Sequence, residues 1–264
     1  MTVLRSEIPD TRTFRRTAEL LREIVERDVK LRYRRSLLGI AWSQIGPLAT
    51  MLVLSFVFSR VLPLHIAHYP EFVFVGLLPW VWFYSGITAA TESVVGGRDL
   101  IRHPGVSPVL LPIAAIAGNL ANYLLALPIL FTFIGVGTGS LPWTAIFLPV
   151  VIAVQFIVMA GPALILAAWH VTFRDVGQIV NVLLLPLFYA TPIFYPRSSV
   201  PGRFNIFYTI NPLTHLMAAY RAILYYGTMP NLLSLATLAV IGVALFLGAR
   251  ILFDIRSRRF VEEL

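Results

Sequence analysis

The sequence predicts an all-α polytopic membrane protein with six transmembrane helices, and three observations carry that expectation. Of its 264 residues 58% are hydrophobic, with a mean hydropathy of +0.79, more apolar than a soluble domain. The apolar residues gather into stretches approaching the ~20 needed to cross a bilayer as helix. The basic residues fall mostly on one side of those stretches and leave only Arg60, Arg197, Arg203 and Arg221 on the other. That asymmetry puts both termini in the cytoplasm and requires an even number of crossings.

The elements follow in order from periodicity and length. Residues 1–36 form a cytoplasmic N-terminal segment with no short apolar core and cleavage site, so a cleaved signal peptide is not expected. Within it Ala18, Leu21, Ile24, Val25 and Val29 share one helical face; Arg22, Glu23, Glu26, Arg27, Lys30 and Arg34 share the other. This is the pattern of an amphipathic helix lying in the headgroup layer. Asp28 and Arg32 interrupt its apolar stripe four residues apart, in the order that favours an ion pair. Lipid is a poor partner for that pair, so either headgroups shield a local salt bridge or this face docks against protein.

The six-span domain is expected over residues 37–253, beginning with a first span over about 37–62 and an outer loop PLHIAHYPE. The second span runs from near Phe72 to Thr91 and carries Trp80, Trp82, Phe83 and Tyr84 partway along. Belt aromatics sit at a membrane edge; these, mid-span, read as packing or as a platform for a sugar. The stretch of about 92–112, ESVVGGRDLIRHPGVSPVLLP, is too polar to span and reads as a short interfacial helix broken at His103 and Pro104. The third span, about 113–136, carries Asn119, Asn122 and Tyr123, either as interhelical hydrogen-bonding groups or as pathway lining.

A turn, GTGSLP, leads to the fourth span, about 143–169, with Gln155 and the Gly161 and Pro162 pair inside it. The second inner loop, HVTFRDVGQ, sets Arg174 beside Asp175 at the mouth of the fifth span, which ATPIFYP closes. The outer segment of about 197–230 holds two apolar stretches too short to cross, read as re-entrant or interfacial helices. The last span, about 232–253, ends in a cytoplasmic tail of residues 254–264, and no further domain is expected.

Several chemistries are excluded. The only lysine is Lys30, so no phosphate-cradling GxxxxGK loop exists and the chain is not itself an ATPase of that class. The expected spans contain no aspartate or glutamate, which argues against proton-driven antiport. There is no cysteine, and His65, His68, His103, His170 and His215 are scattered over both sides. His65 and His68 are three apart and would share a face only in a helix. No nucleophile-and-base set, acid cluster or metal-ligand set suggests catalysis. The net charge of +8 is explained by anionic lipid rather than nucleic acid.

The junction RDVKLRYRRSLLGIAWSQIGPL, the loop VTFRDV, the closing ATPIFY and the following INPLTHLMAAYRAILYYG stand in a characteristic order and spacing. Together they resemble the permeases of polysaccharide-export ABC transporters. These are the membrane subunits that move O-antigen, teichoic acid, capsule or similar undecaprenyl-linked glycans across the bacterial inner membrane. The resemblance implies a homodimer in a multi-pass inner-membrane setting, with two cytoplasmic ATPase subunits. It places ATP and Mg on those subunits and no cofactor or metal on this chain.

It also implies residue roles. The stretch of about 92–112 would be a coupling helix, and its Arg98, Asp99 and Arg102, with Arg174 and Asp175 in the second inner loop and Asp28 and Arg32 in the N-terminal helix, would meet the ATPases. Trp42, Tyr84, Phe188, Tyr189 and Tyr195 would line the glycan path, where flat rings stack on sugars, or else simply pack. Tyr208, Asn211, Pro212 and Tyr220 would belong to outer gate helices. An exporter of a small lipophilic molecule with the same architecture stays open as an alternative, as does a membrane-embedded transferase acting on polyprenyl-linked sugars.

Overall fold

The structure, a computed structural model, describes residues 19–23, 25–26, 41–101, 107–258 and 260. Every regular element among them is helical. Helix α1 spans Ala41–Phe56 and continues into a π-helical turn, Val57–Val61. Then follow α2 (Tyr69–Gly96), α3 (Arg98–Ile101), α4 (Leu110–Thr138) and, after a 3-10 turn at Trp143–Phe147, α5 (Leu148–Thr172). The chain finishes with α6 (Val176–Ala190), α7 (Asn205–Ile210), α8 (Pro212–Leu224) and α9 (Leu232–Ser257).

Among the described residues five helical segments are long and apolar enough to cross a membrane: Trp42–Val61, Tyr69–Gly96, Leu110–Thr138, Trp143–Thr172 and Leu232–Ser257. The expected fifth span is α6, only 15 residues long. At ~1.5 Å per residue it reaches ~22 Å, short of a ~30 Å hydrocarbon core. Its early end has a local cause. Pro192 disfavours helical geometry at the residue before it, and Thr191 accordingly turns extended, with φ −104° and ψ 134°.

The second span begins earlier than its hydropathy suggested. Pro70 occupies the first turn of α2, where its missing N–H costs nothing, so the helix starts at Tyr69 and takes in Glu71. That carboxylate is only 7% exposed, and an alanine-like Cβ at Gly137 of α4 would collide with it. With Glu92 near its other end, α2 corrects the expectation of acid-free spans. His65 and His68 both adopt left-handed backbone, φ 53° and 47°, in a non-helical loop, so they share no helical face. The expected interfacial helix is divided: residues 92–96 extend α2, and Arg98–Ile101 form the separate α3.

Helix α2 is the hub of the bundle. It packs along α4 and α5 and touches α1, α6 and α8. Of its mid-span aromatics Trp80 and Trp82 are buried and Phe83 half-buried, whereas Tyr84 is exposed; Trp82 stacks on Tyr123 of α4 at 5.5 Å and donates to the Ile116 carbonyl at 3.2 Å. The polar residues of the spans are likewise tied to protein. Gln155 donates across to the Pro79 carbonyl at 2.9 Å, Asn119 to Ala115 on its own helix, and the Asn122 carbonyl accepts from Gln44.

A second unit is the pair α5 and α9. Contacts of Gly242 with Ile157 and of Gly161 with Leu245 show that the two helices run parallel, and both glycines touch backbone. A Cβ on Gly242 would stand 3.2 Å from the Val158 nitrogen and 3.3 Å from the Ile157 carbonyl carbon. Small residues are what allow helix backbones to approach so closely where lipid offers no hydrophobic drive. Gly242→Leu is expected to force the helices apart and lower stability by roughly 1–3 kcal/mol, an overpacking cost. Gly248→Leu, at a site on the same helix with nothing within 4 Å, is expected to be neutral. Thermal unfolding of the two variants in detergent checks the contrast.

Candidate functional site

At one end of the bundle, the chain beyond α6 leaves the helix, and lipid could not satisfy the carbonyls this frees. Three consecutive carbonyls, of Pro192, Ile193 and Phe194, need donors from elsewhere. Arg221 of α8 supplies two, Nη1 to Pro192 at 2.6 Å and Nη2 to Ile193 at 2.5 Å, and the Tyr69 hydroxyl supplies the third at 2.5 Å. The guanidinium lies over the Phe72 ring, 3.7 Å from its centroid, and Arg221 is 5% exposed. Gly76 makes the room: a Cβ there would sit 3.0 Å from Nη2 and 3.1 Å from the Ile193 oxygen. The planar fork of arginine suits two adjacent acceptors in a way that the single ammonium of lysine does not.

Asn211 secures the same segment from the other side. Its side-chain oxygen accepts from the Leu213 N–H at 3.0 Å, capping α8, while its amide donates to the Thr191 hydroxyl at 3.0 Å. Tyr225, at the end of α8, donates to the Ala67 carbonyl of the loop before α2, and Thr144 donates to the Ile223 carbonyl at 2.7 Å. Helix α8 is consequently buried on most of its circumference.

The predicted path aromatics divide into two groups. Phe188, Tyr189 and Tyr195 are joined through Phe194, with ring centroids at 5.6, 5.8 and 4.9 Å from it, and Trp80 extends the cluster from α2. Tyr195 donates to the Tyr189 carbonyl at 2.7 Å and shares a 2.7 Å hydroxyl bond with Tyr208. Trp42 and Tyr84, 58% and 41% exposed, make no ring contact with this cluster among the described residues. Of the remaining gate residues, Pro212 is exposed at the first turn of α8, and Tyr220 is fully buried against Tyr123, 6.3 Å between rings.

At the opposite end, Arg98 and Asp99 are exposed on α3, and Arg174 and Asp175 are exposed between α5 and α6. Asp28, Arg32 and Arg102 lie outside the described residues. Residues 19–23 and 25–26 are helical, with Arg22 paired to Glu26 at 2.7 Å on the polar face. The apolar face of that segment meets protein: Leu21 and Val25 pack with Leu100 onto Leu111 and Ala114 of α4.

The loop bearing Arg174 and Asp175 is held from inside. His170 Nδ1 accepts from the Gly177 N–H at 3.2 Å, satisfying a donor in the first turn of α6. Acceptance at Nδ1 requires the neutral ring with its proton on Nε2. A Cβ on Gly177 would stand 3.1 Å from His170 Cε1 and 3.7 Å from Glu92 Oε1, so α2, α5 and α6 converge beneath the exposed charges. Sequence reasoning missed His170 and Glu92 here and Arg221, Tyr69, Phe72 and Gly76 at the other end. The one available signal was Arg221 itself, a cation inside the apolar run LMAAYRAILYY.

Residues 19–225 match the ABC-2 type transporter family. The chain is similar to the O-antigen export system permease protein RfbA of Myxococcus xanthus, at 36% identity over 93% of this chain and 95% of that protein. It is 29% identical to a Klebsiella pneumoniae protein of the same name, over 92% of this chain and 94% of the relative. The polysialic acid transport protein KpsM of Escherichia coli is 27% identical over 84% of this chain and 88% of its own length.

Replacing Arg221 separates its two roles. Arg221→Met keeps the apolar stem but leaves the Pro192 and Ile193 carbonyls without their donors, at ~1–3 kcal/mol for each buried orphan. It is expected to lower stability by about 2–6 kcal/mol in thermal unfolding of the detergent-solubilised chain. Arg221→Lys is expected to fall between Arg221→Met and the unsubstituted protein.

Proposed function

The chain belongs to the ABC-2 type transporter family, and from that premise we propose that it carries lipid-linked polysaccharide outward as the permease half of an ATP-driven exporter. It is a multi-pass inner-membrane permease subunit of an ABC polysaccharide exporter and a transport subunit rather than an enzyme, the ATPase being a separate chain in such systems. The observation that carries this reading is similarity to an O-antigen export permease over nearly the full length of both chains.

The finer reading is as follows. The cargo is an undecaprenyl-linked glycan. Two copies of the chain form the channel, each crossing the membrane six times with α6 and its extended continuation as the fifth crossing and with both termini in the cytoplasm. Two ATPase subunits, holding ATP and Mg, dock on the inner face. The segments of 1–36, 37–253 and 254–264 serve as interfacial helix, transmembrane domain and cytoplasmic tail.

The geometry fits a particular chain of cause. Closure of the ATPases on ATP presses on α3, on the loop carrying Arg174 and Asp175, and on the N-terminal helix seated beside α3. Because His170 ties that loop to α5, and α5 is packed backbone to backbone on α9, the push moves α5 and α9 together. The Gln155 bond to Pro79 passes part of it to α2. At the outer end Arg221 holds the extended segment to α8, so the aromatic cluster of Phe188, Tyr189, Phe194 and Tyr195 is carried by elements that move as bodies. Rings at that position offer flat, sequence-tolerant surfaces to sugars.

Purification of the chain with its ATPase partner tests the reading. Stable co-elution and an ATPase rate that changes on adding lipid-linked glycan are expected; a chain that binds no ATPase and ignores glycan would defeat it. Within the complex, Arg174→Glu is expected to leave assembly of the membrane domain intact but abolish the response of hydrolysis to glycan and cut export about tenfold or more. Unchanged export would remove Arg174 from the docking surface.

A further inference from the structure

Where α5 and α9 end side by side, a cavity of about 670 Å³ opens between Trp169 and Phe173 on one side and the end of α9 on the other. Arg256 and Arg258 both line it, and no carboxylate does among the described residues. The nearby acid on α9, Asp254, is engaged by Arg250 at 2.9 Å. The Arg256 guanidinium lies over the Trp169 ring, 3.9 Å from the centroid, and Trp169 in turn stacks on Phe173 at 5.8 Å.

This arrangement has a chemical preference. Stacking engages the face of a guanidinium and leaves its edge, with the N–H donors, for a planar or tetrahedral oxyanion. Phe260, packed edge-on to Phe253 at 5.4 Å, also lines the cavity. Of the lining residues Ile255 is 62% exposed and Trp169 39% exposed, an apolar and aromatic rim beside the charged end of α9. Aromatic residues favour that level of a bilayer, and basic pockets between helices there suit phosphate-bearing headgroups.

We infer that this cavity is a binding site for the headgroup of an anionic phospholipid, its phosphodiester held by Arg256 and Arg258 and its acyl chains leaving along the exposed side of α9. The assignment of the lipid to the inner leaflet rests on the cytoplasmic orientation proposed above. A headgroup seated there bridges α5, the second inner loop and the end of α9, and so stiffens the parallel pair at the end where the ATPase would act.

The test is lipid retention by the purified chain, measured by native mass spectrometry after equilibration with phosphatidylglycerol or phosphatidylcholine of matched acyl chains. Phosphatidylglycerol is expected to be retained in preference, and the Arg256→Gln/Arg258→Gln double variant to lose that preference, roughly fivefold per arginine. Arg250→Gln, on the same helix but outside the cavity, is expected to keep it. If the double variant aggregates, Arg258→Gln alone carries the test, with a roughly fivefold loss expected. Equal retention of both lipids by the unsubstituted chain, or undiminished preference in the folded double variant, would overturn the inference. So would thermal stabilisation by inorganic phosphate without retention of phosphatidylglycerol, which would mark a free-phosphate site. The assay uses neither ATPase nor glycan, so its failure leaves the exporter reading standing, and failed co-elution leaves the lipid site standing.

Discussion

A backbone that stops being helical within a membrane exposes carbonyls that lipid cannot satisfy, and one end of this bundle is organised around meeting that demand. The break after α6 is imposed by Pro192, and Arg221 answers it with two hydrogen bonds from one buried guanidinium. To reach those carbonyls the arginine must sit on a buried helix, so α8 is packed into the bundle rather than laid on its surface. It must also find space beside α2, hence Gly76, and a neighbour for its charge, hence the face of Phe72. The two stretches ATPIFY and INPLTHLMAAYRAILYYG are thus the two halves of one contact, joined by Arg221 and by the Asn211 to Thr191 bond.

The opposite end depends on a different device. Glycines at 161 and 242 let α5 and α9 touch through their backbones, and a pair joined so closely moves as one body, since packed interfaces resist continuous deformation. The loop with Arg174 and Asp175 grows from the end of α5 and is tied back by His170. In the exporter proposed above, motion delivered to that loop would reach two helices, and the Gln155 bond to the Pro79 carbonyl joins them to α2.

Much of this was legible in the sequence, for physical reasons that hold residue by residue. Hydropathy and length identify the long helices because bilayer thickness sets a common scale, and the prolines and asparagine of the outer segment announce its break and its cap. The amphipathic face of Leu21 and Val25 was readable as a face seeking cover, although whether lipid or protein covers it was not; α3 and α4 do. Glu71 was misassigned to the outer loop because hydropathy penalises a carboxylate, while a proline at the first turn of α2 draws the helix start past it. Tyr220 read as a gate residue from its position in the motif, and its fully buried ring shows how little position says about which way a side chain faces.

Composition, the single lysine and the order of the four motifs determined that the chain is an all-helical membrane permease with no phosphate-binding loop of its own. These are local or summed properties, carried by each residue whatever surrounds it. Which helices touch, that Arg221 turns inward to the carbonyls rather than outward to water, that His170 holds the inner loop, and that Arg256 stacks on Trp169 were decided by tertiary structure alone. Each joins residues far apart in the chain, and a residue's hydropathy records the cost of burying it, not the partner that removes that cost.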